Sequence, residues 1–524
     1  MKIKYFIPLL PILLLHVVPL SVCAAAPADT LWLYRSVSEK RSAYATMNYP
    51  GNPALAPFRY RWSLSRLSLS ACDRKEENAY AASRGSSERS YGIKAESYYR
   101  RDSTVTLWGD ARYGNSVTQE VATSSVIDYD LLYPHISAYS EPQEMRSQTY
   151  AFTGGCSYRR NKWTVGVALH LDASSLVRRV DPRLFNIASD IEGRLGVSRS
   201  VGNGYGLHAG VLLNRYKQDV KSITGQSGVP DFVLNGPFIV FRPLSEPNRP
   251  IFYTGVGYGC YGGLFRADRR GLSLGGGYRR TEIDRKTTLP LAGGLIVPFS
   301  TLAIETSDLD LSYRTGWGRH VAGVRFTGTY RHKKTSEEAF FIQQASTKKI
   351  YHLEQPYFSH EYGAKLQLLY GYRFPRILSL ECAPYVQYGS FAERYLLPRQ
   401  QRERAFIDAG VLLQLQKIYR RHFIGLDFDA TRRKNNRALL DMEEVKGPLA
   451  SDVKPMAFNK PYTKFIRKDF ERQTSDAFLF TLGLDYAFSL NENVSLFLKG
   501  AWTRYRYMSP LKYDVVELKT GIVF

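Results

Sequence analysis

The sequence predicts an all-β fold: a transmembrane, antiparallel up-and-down barrel of about eighteen strands (sixteen on the narrower count), with short periplasmic turns and long external loops. Three observations predict it. Apolar and polar residues alternate with period 2 along nearly the whole chain. The alternating runs are about 10 to 14 residues, the length of a tilted membrane strand, where strands of globular domains are usually 5 or 6. The chain also begins like an exported protein and ends on an alternating segment that closes with Phe524.

At the start, Lys2 and Lys4 precede an apolar run from Tyr5 to Val22, followed by Cys23-Ala24-Ala25-Ala26. A charged start, an apolar middle and small residues for cleavage make a secretory signal peptide, assigned to 1–25. Pro8, Pro11 and Pro19 interrupt the run and argue against a membrane helix. No other stretch approaches the roughly 18 apolar residues of a spanning helix. Residues 26–57 are then an N-terminal segment in the periplasm or the lumen. Residues 58–524 are the barrel, its first strand rising from Phe58, with no linker-like break dividing it.

A mean hydropathy of −0.30 excludes a helical membrane protein but not a barrel, in which only alternate residues face lipid. The net charge is +23, two less once Lys2 and Lys4 are removed. In an exported chain that excess points to outer-membrane lipids and lipopolysaccharide as partners, not to nucleic acid. Beyond the signal region Cys72, Cys156, Cys260 and Cys382 have no CxxC spacing. They suggest no metal site, and their disulfide pairing stays open.

Through the middle, Tyr91, Ile93, Ala95 and Tyr99 alternate with Lys94, Glu96 and Arg100. Trp163, Val165, Val167, Leu169 and Leu171 form one apolar face, and Phe478, Phe480, Leu482, Leu484, Tyr486 and Phe488 another. Runs join in pairs across short turns at Arg101-Asp102-Ser103, Arg159-Arg160-Asn161, Val201-Gly202-Asn203, Gly316-Trp317-Gly318, Tyr419-Arg420 and Asn491-Glu492. Between the pairs lie long polar connections at 115–146, 218–248, 333–358 and 433–474. Arginines in the short turns, among them Arg269 and Arg270, suit either inner-leaflet phosphates or plain solvation. Of the 37 tyrosines, Tyr98, Tyr99, Tyr158, Tyr370, Tyr372, Tyr505 and Tyr507 stand near strand ends, as interfacial girdles require.

Two motif matches suggest enzymes and fail on context. Gly257, Gly259 and Gly262 spell GxGxxG, but no helix follows to receive a pyrophosphate. Gly271-Leu272-Ser273-Leu274-Gly275 spells GxSxG, yet Ser273 falls inside a strand instead of on a strand–turn–helix elbow. The sequence therefore predicts no enzyme, no catalytic or metal residues and no cofactor.

If the apolar faces meet lipid, the lumen receives Asp408, Gln414, Gln416, Asp427, Asp429, Asp485, Lys499, Glu517 and Lys519, with Lys94, Glu96, Asp110 and Arg112 from the N-terminal strands. Such charges must be hydrated or paired across strands. They make either a polar conduit or a salt-bridged wall. In the last strand Leu518, Ile522 and Phe524 face outward, opposite Val515, Glu517, Lys519 and Gly521. These three are the expected assembly signal, read by barrel-assembly machinery after delivery by periplasmic chaperones.

Asp130-Leu131-Leu132-Tyr133-Pro134-His135-Ile136, Tyr150-Ala151-Phe152-Thr153-Gly154-Gly155 and Asp181-Pro182-Arg183 resemble an uncharacterised, domain-of-unknown-function family of large bacterial outer-membrane β-barrels. Leu184 departs from that pattern where a second proline is expected. Asn52-Pro53-Ala54-Leu55 resembles the NPA element of fatty-acid-transporter-type barrels. The resemblance implies an outer-membrane location and brings no substrate or catalytic residue. The expected function is passive passage or binding of a small solute through a polar lumen. The alternative is a plugged scaffold whose long external loops bind a surface protein partner or lipopolysaccharide.

Overall fold

Alternation along the sequence becomes strand pairing in space. In a computed structural model, residues 51–524 are described apart from 61, 78–82, 139–141, 181–182, 224–231, 235–239, 242–249, 268–269, 289–295, 344–345, 375–377, 397–398, 443–459, 492 and 508–511. The expected signal peptide, residues 26–50 of the expected N-terminal segment, Asp181, Pro182, Arg269 and Glu492 lie outside the described residues.

The strands are β1 (Leu64–Glu77), β2 (Ser87–Arg100), β3 (Val105–Val121), β4 (Gln143–Arg160), β5 (Trp163–Arg178) and β6 (Arg183–Gly202). They continue with β7 (Tyr205–Ile223), β8 (Ile251–Arg266), β9 (Gly271–Thr288), β10 (Ile296–Trp317), β11 (His320–Gln343) and β12 (Ser346–Phe374). The last six are β13 (Leu378–Tyr395), β14 (Gln400–Tyr419), β15 (His422–Met442), β16 (Ala477–Ser489), β17 (Ser495–Tyr507) and β18 (Lys512–Val523). Each pairs antiparallel with its sequence neighbour, and β1 pairs with β18, so one 18-stranded sheet closes on itself. Closure removes the exposed edges that a sheet in lipid cannot carry. Phe524 completes the seam: its N–H donates to the Ser65 carbonyl (2.9 Å) and its carbonyl accepts from the Ser65 N–H (2.7 Å).

Two sequence expectations shift. The first strand begins at Leu64, because Pro53–Phe58, with Pro at its first position, forms a 3-10 turn instead of strand. The 333–358 stretch is mostly strand: β11 and β12 run to 24 and 29 residues and continue their ladder to Gln343 opposite Ser346. Residues 240–241 join no barrel strand; they pair with Phe232–Leu234, which pairs with Ser137–Ala138 in a separate small sheet.

The outer face is apolar and bounded by aromatic rows. On β2, β4 and β12, exposed tyrosines recur eight residues apart: Tyr91 and Tyr99, Tyr150 and Tyr158, Tyr362 and Tyr370. At about 3.4 Å per residue and a tilt near 40°, that spacing spans about 20 Å of membrane normal, close to the apolar band of such barrels. Tyr98, Tyr505 and Tyr507 are not part of the girdle. Tyr98 is buried inside, and Tyr505 and Tyr507 share the inward phase of Phe497 and Lys499 on β17. A closed barrel with a two-girdled apolar exterior is an outer-membrane protein.

Candidate functional site

The predicted inward residues are where the alternation places them, and they are largely paired with one another. Arg433 donates to both oxygens of Asp408 at 2.8 Å. Lys499 lies 3.5 Å from Asp485, Lys94 3.0 Å from Glu96 and Arg112 3.7 Å from Asp172. Tyr385 donates to Asp429 at 3.2 Å, and Gln414 and Gln416 are buried. Asp427 is also partnered. Asp110 stands opposite Glu96 in the ladder, and Glu517 and Lys519 opposite Cys72 and Ser70. Between β13 and β17, and from β3 to β5, the wall is cross-linked by its own polar side chains. Leu518, Ile522 and Phe524 hold the outward phase of β18, with Phe524 exposed.

An 18-stranded barrel is too wide for its wall side chains to fill. Here chain segments enter from both ends. At the short-turn end, Asn52 caps the 3-10 turn, its Oδ1 accepting from the Ala54 N–H at 2.9 Å. Its Nδ2 sits 3.1 Å from His208 Nδ1. The Tyr98 hydroxyl donates to the Ala56 carbonyl at 2.8 Å. Gly166 and Gly196 leave the space: a Cβ on Gly166 would lie 2.5 Å from the Pro53 carbonyl carbon, and one on Gly196 would strike Asn52.

At the opposite end the β3–β4 connection turns inward. Val126, Leu132 and Ile136 are buried in one cluster with Tyr216, Tyr253, Ile283, Leu302 and Ile304 of β7 to β10. At its centre is a four-residue helix, α1 (Tyr129–Leu132). The Lys333 ammonium donates to the carbonyls of Asp130 (2.6 Å), Leu131 (3.3 Å) and Tyr133 (2.9 Å). Tyr216 donates to Asp128 at 2.7 Å, and Tyr133 to Glu393 at 3.1 Å. Burial raises the Asp128 carboxyl above its ordinary range. Burial also pushes the Tyr133 hydroxyl up and holds His135 well below the usual imidazole value, with Arg285 and Lys333 adding to the effect. A longer helix, α2 (Lys460–Thr474), lies in the β15–β16 connection. Ile466 packs on the same cluster, and Arg472 pairs with Glu76 of β1 at 3.0 Å.

Between the two plugs lies a chamber of about 620 Å³, with Gly51 at one end and Asp130, Leu131 and Lys333 at the other. Its wall spans β6 to β11 and carries Asp190, Arg194, Asn214, Arg279, Asp310 and Arg331. Arg194 and Arg279 both pair with the buried Glu192, Arg279 at 2.9 Å, and Arg325 pairs with Asp310. Chemically this is a polar compartment with cationic and anionic groups facing each other. The sequence alone does not single out these residues, although Asp190, Glu192 and Arg194 alternate as plainly as the C-terminal set. Among the described residues no group of three or more His, Cys, Asp or Glu is arranged to hold a metal. The four described cysteines are free thiols. Ser273 sits within β9, and Gly257, Gly259 and Gly262 within β8.

A comparison with curated proteins returns no match. Among solved structures the chain is similar to the ferric yersiniabactin uptake receptor FyuA from Yersinia pestis, at 9% identity over 88% of this chain and 80% of that one, TM-score 0.40. It is also similar to the ferric preacinetobactin receptor BauA from Acinetobacter baumannii (7% identity, 88% and 80% covered, TM-score 0.38). A third is the toluene transporter TbuX from Ralstonia pickettii (8% identity, 90% and 92% covered, TM-score 0.32). Residues 53–524 match a family model described as a family of unknown function, in keeping with the family that the Asp130–Ile136 segment resembles, and the chain belongs to that family, DUF6850.

Proposed function

We propose that this barrel binds a small polar solute in its lumen and passes it across the outer membrane when the β3–β4 connection moves aside. The observation that carries this reading is the partly open chamber of about 620 Å³ between the two plugs. Its size falls within the range of small-ligand sites, and charges of both signs line it. The connection, held by its buried apolar cluster together with one ammonium and a set of hydrogen bonds, is the barrier to be moved. On this reading the chain is a conduit and not an enzyme, and it uses no cofactor.

The test is single-channel conductance and liposome swelling with purified protein. Low conductance with brief openings is expected, rising when the connection is loosened. Impermeability to ions and small sugars in both the native protein and a loosened variant would sink the proposal.

A plugged scaffold is the second reading, and the length of β11 and β12 favours it, because these strands extend well past the upper tyrosine row. On that reading the projecting hairpin docks a surface protein or lipopolysaccharide. Recovery of a stoichiometric partner from outer membranes, with no conductance, would select it. Under either reading we take outer-membrane lipids as partners of the aromatic rows, and barrel-assembly machinery and periplasmic chaperones as partners in biogenesis.

A further inference from the structure

The β3–β4 connection divides the outer half of the lumen, and the chamber occupies only one flank. On the other flank, against β1 to β5 and β18, lies a second cavity of about 410 Å³. One side of it is apolar, formed by Val126, Ile127, Met145 and Leu176, and the other carries Arg74 and Arg84. We infer that this vestibule is a second solute site, for a small carboxylate attached to an apolar body.

The two arginines have different duties. Arg74 is largely buried and committed: it lies 3.4 Å from both Glu76 and Glu88, and it donates to the Arg84 carbonyl at 2.6 Å. It therefore shapes the segment that presents Arg84. Arg84 keeps its head group open, with the side chain 60% exposed, and meets the 74% exposed Asp130 at 3.2 Å. An ion pair so exposed contributes little. A ligand carboxylate matches the guanidinium fork as well as Asp130 does, and its apolar body adds burial against Ile127 and Met145 that Asp130 lacks.

Asp130 also joins the two cavities. Its side chain faces the vestibule arginine, while its carbonyl accepts from Lys333 on the chamber side. A ligand that displaces Asp130 from Arg84 removes one of the connection's attachments and leaves the Lys333 bond. Because the exposed pair contributes little, occupation of the vestibule loosens the barrier only slightly. That coupling rests on the passage reading; the binding site itself does not.

The test uses the whole protein in detergent, titrated calorimetrically with 4-phenylbutyrate and with the neutral 4-phenylbutanol. The acid is expected to bind about tenfold tighter than the alcohol, and Arg84→Gln to lose about that factor. Asp130→Asn removes the competing carboxylate and is expected to tighten binding severalfold. Heat-modifiable migration shows that each variant is folded. Equal affinity for acid and alcohol, an unaffected R84Q, a weakened D130N, or no saturable binding would each overturn the assignment. Impermeable liposomes alongside the expected titrations would count against passage alone, and permeable liposomes without acid binding against the vestibule alone.

Discussion

Lys333 and Asp130 are 203 positions apart, and the Lys333 ammonium donates to the Asp130 carbonyl at 2.6 Å inside the barrel. With its bonds to Leu131 and Tyr133, one side chain satisfies carbonyls that α1 leaves without intrahelical partners. Methionine at this position keeps an unbranched apolar stem and removes every donor. Lys333→Met is therefore expected to leave the barrel assembled and to weaken docking of the connection by about 1.5–3 kcal/mol. Higher single-channel conductance and protease cleavage within 122–142 would register it. Native conductance and native resistance to cleavage would show that this lysine does not hold the barrier.

His135 gives the same connection a dependence on pH. Its Nε2 lies 3.6 Å from Glu337, with both side chains almost fully buried. Burial first, then Arg285 and Lys333, hold its pKa well below the ordinary imidazole value. The docked connection thus favours the neutral ring, while the released one titrates near 6.5. Docking is at full strength above that pH and weakens as pH falls below it, by up to about 1.4 kcal/mol per unit, until the docked pKa is reached. Asp128, raised by burial, acts in the opposite sense, weakening docking as pH rises from the ordinary carboxylate range through its raised pKa. Conductance should rise between pH 7.5 and 5.5 in the native protein, and His135→Gln should flatten the rise. A response identical in both proteins would assign it to another group.

The barrel was legible because lipid imposes one rule on every strand, and Val165, Val167 and Leu169 obey it without reference to distant residues. The plugs were harder to see. The 115–146 connection looked polar by length and position, yet Val126, Ile127, Leu131, Leu132 and Ile136 are too apolar for a solvated loop, and that was the available signal. Which inward charges meet a cavity and which meet each other depends on where the connection docks. Asp408 and Asp190 follow the same alternation, and only the fold separates the wall from the chamber.

The turn at the short-turn end can be displaced from the strand side. Ala54 is fully buried against the wall, and Gly166 stands where a Cβ would come within 2.6 Å of the Ala54 nitrogen. The β5 backbone itself accepts alanine, so Gly166→Ala should leave the barrel intact and push the turn inward. With a cysteine introduced by Ala54→Cys, maleimide labelling should be slow in the parent and fast with G166A added. Equal rates would mean that the turn adapts in place.

The paired wall gives a last, separable prediction. The Asp408 carboxylate is buried, takes two hydrogen bonds from Arg433, and lies beside a guanidinium stacked 4.0 Å over the Phe406 ring. Removing Asp408 leaves the Arg433 guanidinium, about a third exposed, without its carboxylate, so Asp408→Leu should destabilise the barrel by about 1–3 kcal/mol. Adding Arg433→Met removes the stranded charge and should restore most of that loss. Urea unfolding in lipid vesicles, followed by tryptophan fluorescence, measures both. A residue that stiffens the wall moves stability and leaves conductance nearly unchanged. A residue that lines the path does the reverse, and that outcome would extend the conduit from the β6–β11 chamber to the β14–β15 wall.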